Sequence, residues 1–188
     1  MNISQKTQPG SINHRMTART AALLSLLMLA GCALYERSLR PHVPPSLTVP
    51  DGQKLLLRAY ARGVQIYVCE TSPDGRLTWN LKAPEAMLFD ELDRVIGSHY
   101  AGPTWELDQD GSKVCGAVLQ RVPSPDAAAI PWLLLKMKTT EGTGQFRRVT
   151  HIQRVNTKGG LAPAATPTTP GQEVRVHYSA EYYFYREK

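Results

Sequence analysis

The chain has 188 residues, with 22 lysines and arginines against 16 aspartates and glutamates, 42% apolar residues and 7% aromatic. That is sequence for one compact domain, too apolar and too weakly charged for a disordered polyelectrolyte. Three cysteines exclude a disulfide-dense miniprotein, and no glycine period points to a collagen-like chain.

Residues 21–30 read AALLSLLMLA, an apolar run preceded by Arg15 and Arg19 and by no acidic residue. A membrane span needs about 20 apolar residues, so this run is too short to remain as one. A basic start, a short apolar stretch and small residues at its end predict a secretory signal over residues 1–31, with Met16 as an alternative start. The segment Leu29-Ala30-Gly31-Cys32 resembles the lipobox of bacterial lipoproteins. The resemblance implies a diacylglyceryl group on the Cys32 thiol, cleavage just before it and acylation of the new amine. With Ala33 rather than an aspartate next, it also implies the outer membrane, facing the periplasm. An ordinary signal with a chance cysteine is the alternative.

On this reading the membrane is a partner through the covalent lipid on Cys32, since two or three acyl chains anchor stably where one does not. Residues 32–50, with Pro41, Pro44, Pro45 and Pro50, form a lipidated tether, and residues 51–188 a single β-rich domain. Loss of Lys6, Arg15 and Arg19 lowers the net charge from +6 to +3. That charge and the exported compartment argue against a nucleic-acid partner. Cys69 and Cys115 are then an even pair in an oxidising space, either a disulfide or two free thiols.

Residues 51–62, with LLLRAYA, read as a short helix or a first strand. Val64, Ile66 and Val68 then alternate with Gln65, Tyr67 and Cys69, and Pro73-Asp74-Gly75 is a turn. Leu77, Trp79 and Leu81 alternate next, followed by short apolar pieces at residues 87–89 and 95–96 around an acidic turn. Residues 104–107 form a strand closed by Asp110-Gly111, and the rhythm continues through Val114, Gly116 and Val118. Residues 132–138 are an apolar run, with a possible short helix at residues 126–135 between Pro125 and Pro131. Residues 159–171 hold almost no core formers and read as a flexible loop. In the last strand Val174, Val176, Tyr178, Ala180, Tyr182 and Phe184 face one way, and Arg175, His177, Ser179, Glu181, Tyr183 and Tyr185 the other. The predicted class is all-β and mainly antiparallel: a sandwich or small barrel of about 7–9 short strands with little helix.

Several stretches carry a family resemblance: GVQIYVCE (63–70), LTWNLKAPEAMLFD (77–90), GSHYAGPTWELDQDGSKVCG (97–116), IPWLLLK (130–136) and VTHIQRVNTKGG (149–160). They resemble the domain-of-unknown-function 3455 family over most of residues 50–188, most specifically in HYAGPTWE and IQRVNTKGG. The resemblance implies a secreted or envelope β-rich domain and implies no activity.

Chemistry concentrates around His99-Tyr100-Ala101-Gly102-Pro103-Thr104-Trp105-Glu106. A Gly-Pro turn brings His99 and Glu106 together as an acid/base pair beside Trp105, or leaves them as backbone caps in a tight turn. On the strand through residues 148–156, Val149, His151, Gln153 and Val155 share one face, and Arg148, Thr150, Ile152 and Arg154 the other. Gln153 and His151 interrupt an apolar face, as in the lining of a ligand cleft or in a polar edge strand. Asn156-Thr157-Lys158-Gly159-Gly160 offers amides and a cation to an anion, or is a plain glycine turn. His99, His151 and His177 lack metal-ligand spacing, so neither metal nor cofactor is expected.

The leading expectation is a non-catalytic, lipid-anchored envelope domain that binds an unidentified ligand or protein. Its binding candidates are His99, Tyr100, Trp105, Glu106, His151, Gln153, Arg154, Asn156 and Lys158. An enzyme using His99 and Glu106, or an inhibitor of lysozyme-like hydrolases, are the alternatives.

Overall fold

The computed structural model describes residues 39–188. The signal segment and Cys32 lie outside the described residues. Eight antiparallel strands close a barrel in chain order: β1 (Gln53–Thr71), β2 (Leu77–Phe89), β3 (Val95–Tyr100), β4 (Thr104–Leu107), β5 (Lys113–Val122), β6 (Trp132–Glu141), β7 (His151–Gly159) and β8 (Glu173–Glu187). The two ends of the domain sequence meet where β8 pairs with β1 from Gln53↔Glu187 to Val68↔Glu173. Closure leaves no open sheet edge along that seam, which an isolated long strand would expose.

The all-β, antiparallel expectation holds, with eight strands as a barrel. Strand length departs from it, because β1, β2 and β8 run to 19, 13 and 15 residues. The helix alternative at residues 51–62 gives way to β1 from Gln53, and the one at residues 126–135 to a turn followed by β6 from Trp132. In β1 the pairing with β8 from Gln53 onward holds the backbone extended despite a leucine- and alanine-rich composition.

The interior is filled asymmetrically. Ala59, Ala61 and Gly63 point inward from β1 at period two, and Trp105, Tyr182 and Phe184 fill the space from β4 and β8. The inward set Tyr178, Ala180, Tyr182 and Phe184 is the one the alternation of β8 predicts. At one end a 3-10 turn (Gln145–Arg148) inserts Phe146, whose ring stacks on Phe184 at 4.6 Å. Asp110 holds that turn by accepting from the Gln145 amide at 2.7 Å and from the Ser112 amide at 2.9 Å.

The tether expectation needs correction over its last part. Residues 45–47 form a 3-10 turn, and Leu47 and Val49 are buried against Trp132, Leu134, Val155, Tyr183 and Tyr185 on the outer wall. The outward tyrosines of β8 are therefore covered by the chain's own N-terminal segment. The segment 159–171 is also tied down: the Trp79 indole donates to the Ala165 carbonyl at 3.0 Å and the Tyr67 hydroxyl to the Gly160 carbonyl at 2.7 Å.

Candidate functional site

Strand lengths around the barrel do not match, and the site follows from that. β3 and β4 have six and four residues. β3 pairs with β2 only at residues 86–89, and β4 with β5 only at residues 113–115. The first half of β2 and the second half of β5 therefore rise above the β3–β4 hairpin without a strand between them. The wall parts there, and a cavity of about 310 Å³ opens. Leu81, Lys82, Ala83 and Pro84 of β2, the Gly102-Pro103 turn, and Val118 and Arg121 of β5 frame its mouth. Its inner wall is Gln65, His99, Trp105, Leu133, Leu135, Arg154 and Tyr182, gathered from six different strands.

The inner wall combines apolar side chains with polar atoms that have nothing to bind. The Gln65 Nε2 and the Trp105 Nε1 are buried and meet no hydrogen-bond partner among the described residues, and the same holds for the Trp132 Nε1 on the outer wall. The Tyr178 and Tyr182 hydroxyls lie beside each other and near Arg154. Leaving a buried donor unpaired costs about 1–3 kcal/mol, and two such donors belong to residues of the cavity wall, Gln65 and Trp105. Arg154 donates from Nε at 3.3 Å and from Nη2 at 2.9 Å to the Pro131 carbonyl.

His99 stacks on Trp105 with ring centroids 4.3 Å apart and planes 8° from parallel. Its Nδ1 lies 2.8 Å from the Thr104 carbonyl, which can only accept, so the proton sits on Nδ1. Burial, with Arg154 nearby, pushes the imidazole down to about 3, against the pull of that carbonyl. The ring is neutral across the physiological range.

The expected His99–Glu106 pair does not form. Register sets Trp105 opposite His99 and Glu106 opposite Ser98, so His99 faces the cavity and Glu106 the outer surface. There Glu106 accepts from the Tyr100 hydroxyl at 2.8 Å and pairs with Lys113 at 3.3 Å. The Tyr100 hydrogen bond first, and Lys113 after it, hold the carboxyl below its ordinary range.

Of the residues singled out in the sequence, His99, Trp105 and Arg154 meet at the cavity, and the rest do not. Gln153 points to the outer wall, where Nε2 donates to the Leu47 carbonyl at 2.6 Å and Oε1 accepts from the Tyr185 hydroxyl at 2.6 Å. It fastens the N-terminal segment and is not part of the cavity wall. His151 sits on the same outer side, with Nδ1 3.1 Å from the Thr150 hydroxyl. The segment 156–160 is neither an anion loop nor a plain turn. It is the bulged end of β7, with Asn156 at φ 49° and Lys158 facing Asp126 at 3.4 Å. Cys69 and Cys115 are free thiols on non-adjacent strands, not a disulfide, and the Cys115 thiol donates to the Gly102 carbonyl at 2.7 Å. Gln65, Tyr182, Lys82 and Arg121 were not expected at a site. The one signal for Gln65 was a polar residue continuing the small-residue face of β1.

Neutral His99 has a consequence for stability. Its folded pKa lies below the unfolded value near 6.5, so the unfolded chain binds more protons between the two. Stability is then full above about pH 6.5 and is lost as pH falls. From pH 7 to 5 this one group removes about 2 kcal/mol, in a range where carboxylates contribute little. His151, lowered first by burial and then by Lys136, adds in the same direction. Urea midpoints measured from pH 7 to 5 should fall in the native chain and fall less in His99→Gln; equal slopes would contradict the assignment.

A family model described as "Protein of unknown function (DUF3455)" matches residues 50–186. No curated protein matches the chain, and neither does any solved structure.

Proposed function

The chain belongs to the DUF3455 family, and from the site we propose that it is a non-catalytic small-molecule-binding barrel. The supporting observation is a cavity of about 310 Å³ whose wall includes Gln65 and Trp105, each with a buried donor that has no partner among the described residues. That size falls at the small end of the range for ligand pockets, about 300–1,000 Å³. An eight-stranded barrel has room for its own side chains or for one small ligand, and here packed side chains and a cavity share the interior. Separation of His99 from Glu106 and the neutrality of His99 leave no acid/base pair at the cavity.

The same proposal includes attachment by a lipid on Cys32 at the outer membrane, supported by the residues 21–32. The N-terminal segment would then lead from the anchor to a fixed point on the barrel wall, at Leu47 and Val49.

Native mass spectrometry of protein purified from its own envelope tests the binding role. Wild type should carry a small molecule, and Ala83→Trp, which fills the mouth, should carry at least tenfold less with an unchanged circular dichroism spectrum. Equal loads in both, or none in either, would contradict the proposal.

A further inference from the structure

The charge around the cavity is of one sign. Arg154 stands in the inner wall, and Lys82 and Arg121 stand at the mouth. None of the residues that line the cavity is an aspartate or glutamate. Lys82 has Glu173 as an ion-pair partner on the outside. Arg154 has no carboxylate within ion-pair distance among the described residues, and its hydrogen bonds go to one neutral carbonyl. A guanidinium stays charged in any protein setting. A part-buried cation without a counter-charge is costly, and each such group is normally paired or bound to an anion. The nearest groups do not relieve it. His99 is neutral, and the phenols of Tyr178 and Tyr182 are driven further from ionisation by burial, although Arg154 pulls the other way.

The donors around Arg154 have the same bias. Trp105 Nε1 and Gln65 Nε2 can only donate, and both lack acceptors. The rest of the wall is apolar: Leu133, Leu135, Ala83 and Pro84, with exposed Leu81 and Val118 flanking the mouth. A ligand that satisfies this surface brings acceptors and negative charge at one end and apolar surface along its body.

Resting on the binding reading above, we infer that the occupant is a small amphipathic anion, its carboxylate or phosphate set against Arg154 with the Trp105 and Gln65 donors and its apolar body against Leu133 and Leu135. Arg154 suits either head group, because its planar fork matches both.

The test uses three probes with one body: 2-naphthoate, 2-naphthyl phosphate and the uncharged 2-naphthamide, titrated calorimetrically into the purified protein. At least one acid should bind tenfold or more tightly than the amide. Arg154→Gln should abolish that preference while leaving amide affinity within about threefold, and Arg154→Lys should retain part of it. Whichever acid is tighter identifies the head group. An amide that binds as well as both acids, or a preference that survives Arg154→Gln, overturns the anion inference and leaves the binding barrel standing. If none of the three binds at millimolar concentration, the inference is overturned, and the load measured on envelope-purified protein decides the barrel reading separately. Should Arg154→Gln fail to fold, the wild-type ranking of acid against amide and the Arg154→Lys titration still decide the matter.

Discussion

Trp105→Ala should destabilise the domain by about 3–5 kcal/mol, the range for emptying a large buried aromatic site. Trp105 is 1% exposed. One face stacks on His99, and its edges meet Tyr182 at 5.4 Å and Phe184 at 6.2 Å in T-shaped contacts. These rings are the large half of an interior whose other half, on β1, is alanine and glycine, so nothing on the facing wall can move in to refill the space. With total stabilities of about 5–15 kcal/mol typical of single domains, the loss is a third or more of what holds the fold. Trp79 provides the internal control. It is half-buried, with its indole donating to the Ala165 carbonyl, so Trp79→Ala should cost about 1–2 kcal/mol. Urea midpoints read both values, and a Trp79→Ala loss equal to that of Trp105→Ala would contradict the packing described.

Gly63→Ala is expected to cost about 3 kcal/mol through overpacking alone. A Cβ at this position would stand 2.1 Å from the Glu85 carbonyl oxygen and 2.5 Å from the Ala86 Cα. Both are backbone atoms of β2, which pairs with β1 at Gly63↔Ala86, so neither can swing aside. The two strands must separate two residues from Gln65, in the cavity wall. Gly116 gives the contrast. Its Cβ would meet the Met137 Cε at 2.8 Å, the far end of a flexible side chain, so Gly116→Ala should cost under about 1 kcal/mol. A reversal of that order would show that the close approach of β1 to β2 is not what Gly63 serves.

The strands themselves were legible because alternation is written locally. The run from Tyr178 to Phe184 shows its inner face at period two, and the structure keeps that face. Closure was not legible. It depends on β1 finding β8 more than a hundred residues away, and alternation says which side of a strand is apolar without naming its neighbour. The His99–Glu106 pairing failed for a one-residue reason: a turn that sets Tyr100 against Thr104 places odd and even residues on opposite faces. The cleft read into Gln153 and His151 failed because polar residues on a barrel's outer wall can be buried as well, here beneath Leu47. Arg154, on the other face of the same strand, is the residue that reaches the interior. Small residues hid the inner face of β1, where Ala59, Ala61 and Gly63 carry no apolar signal of their own but make room for Trp105 and Tyr182.

The cavity as a ligand site is tested most directly by the indole N–H resonances of the three tryptophans, Trp79, Trp105 and Trp132. Each is assigned by its phenylalanine substitution and followed while 2-naphthoate is added to the labelled protein. Trp105, which lines the cavity, should shift to saturation, while Trp79 and Trp132, which do not line it, stay in place. Movement confined to Trp79 or Trp132, with Trp105 fixed at saturating probe, would contradict the assignment of the barrel interior as the binding site.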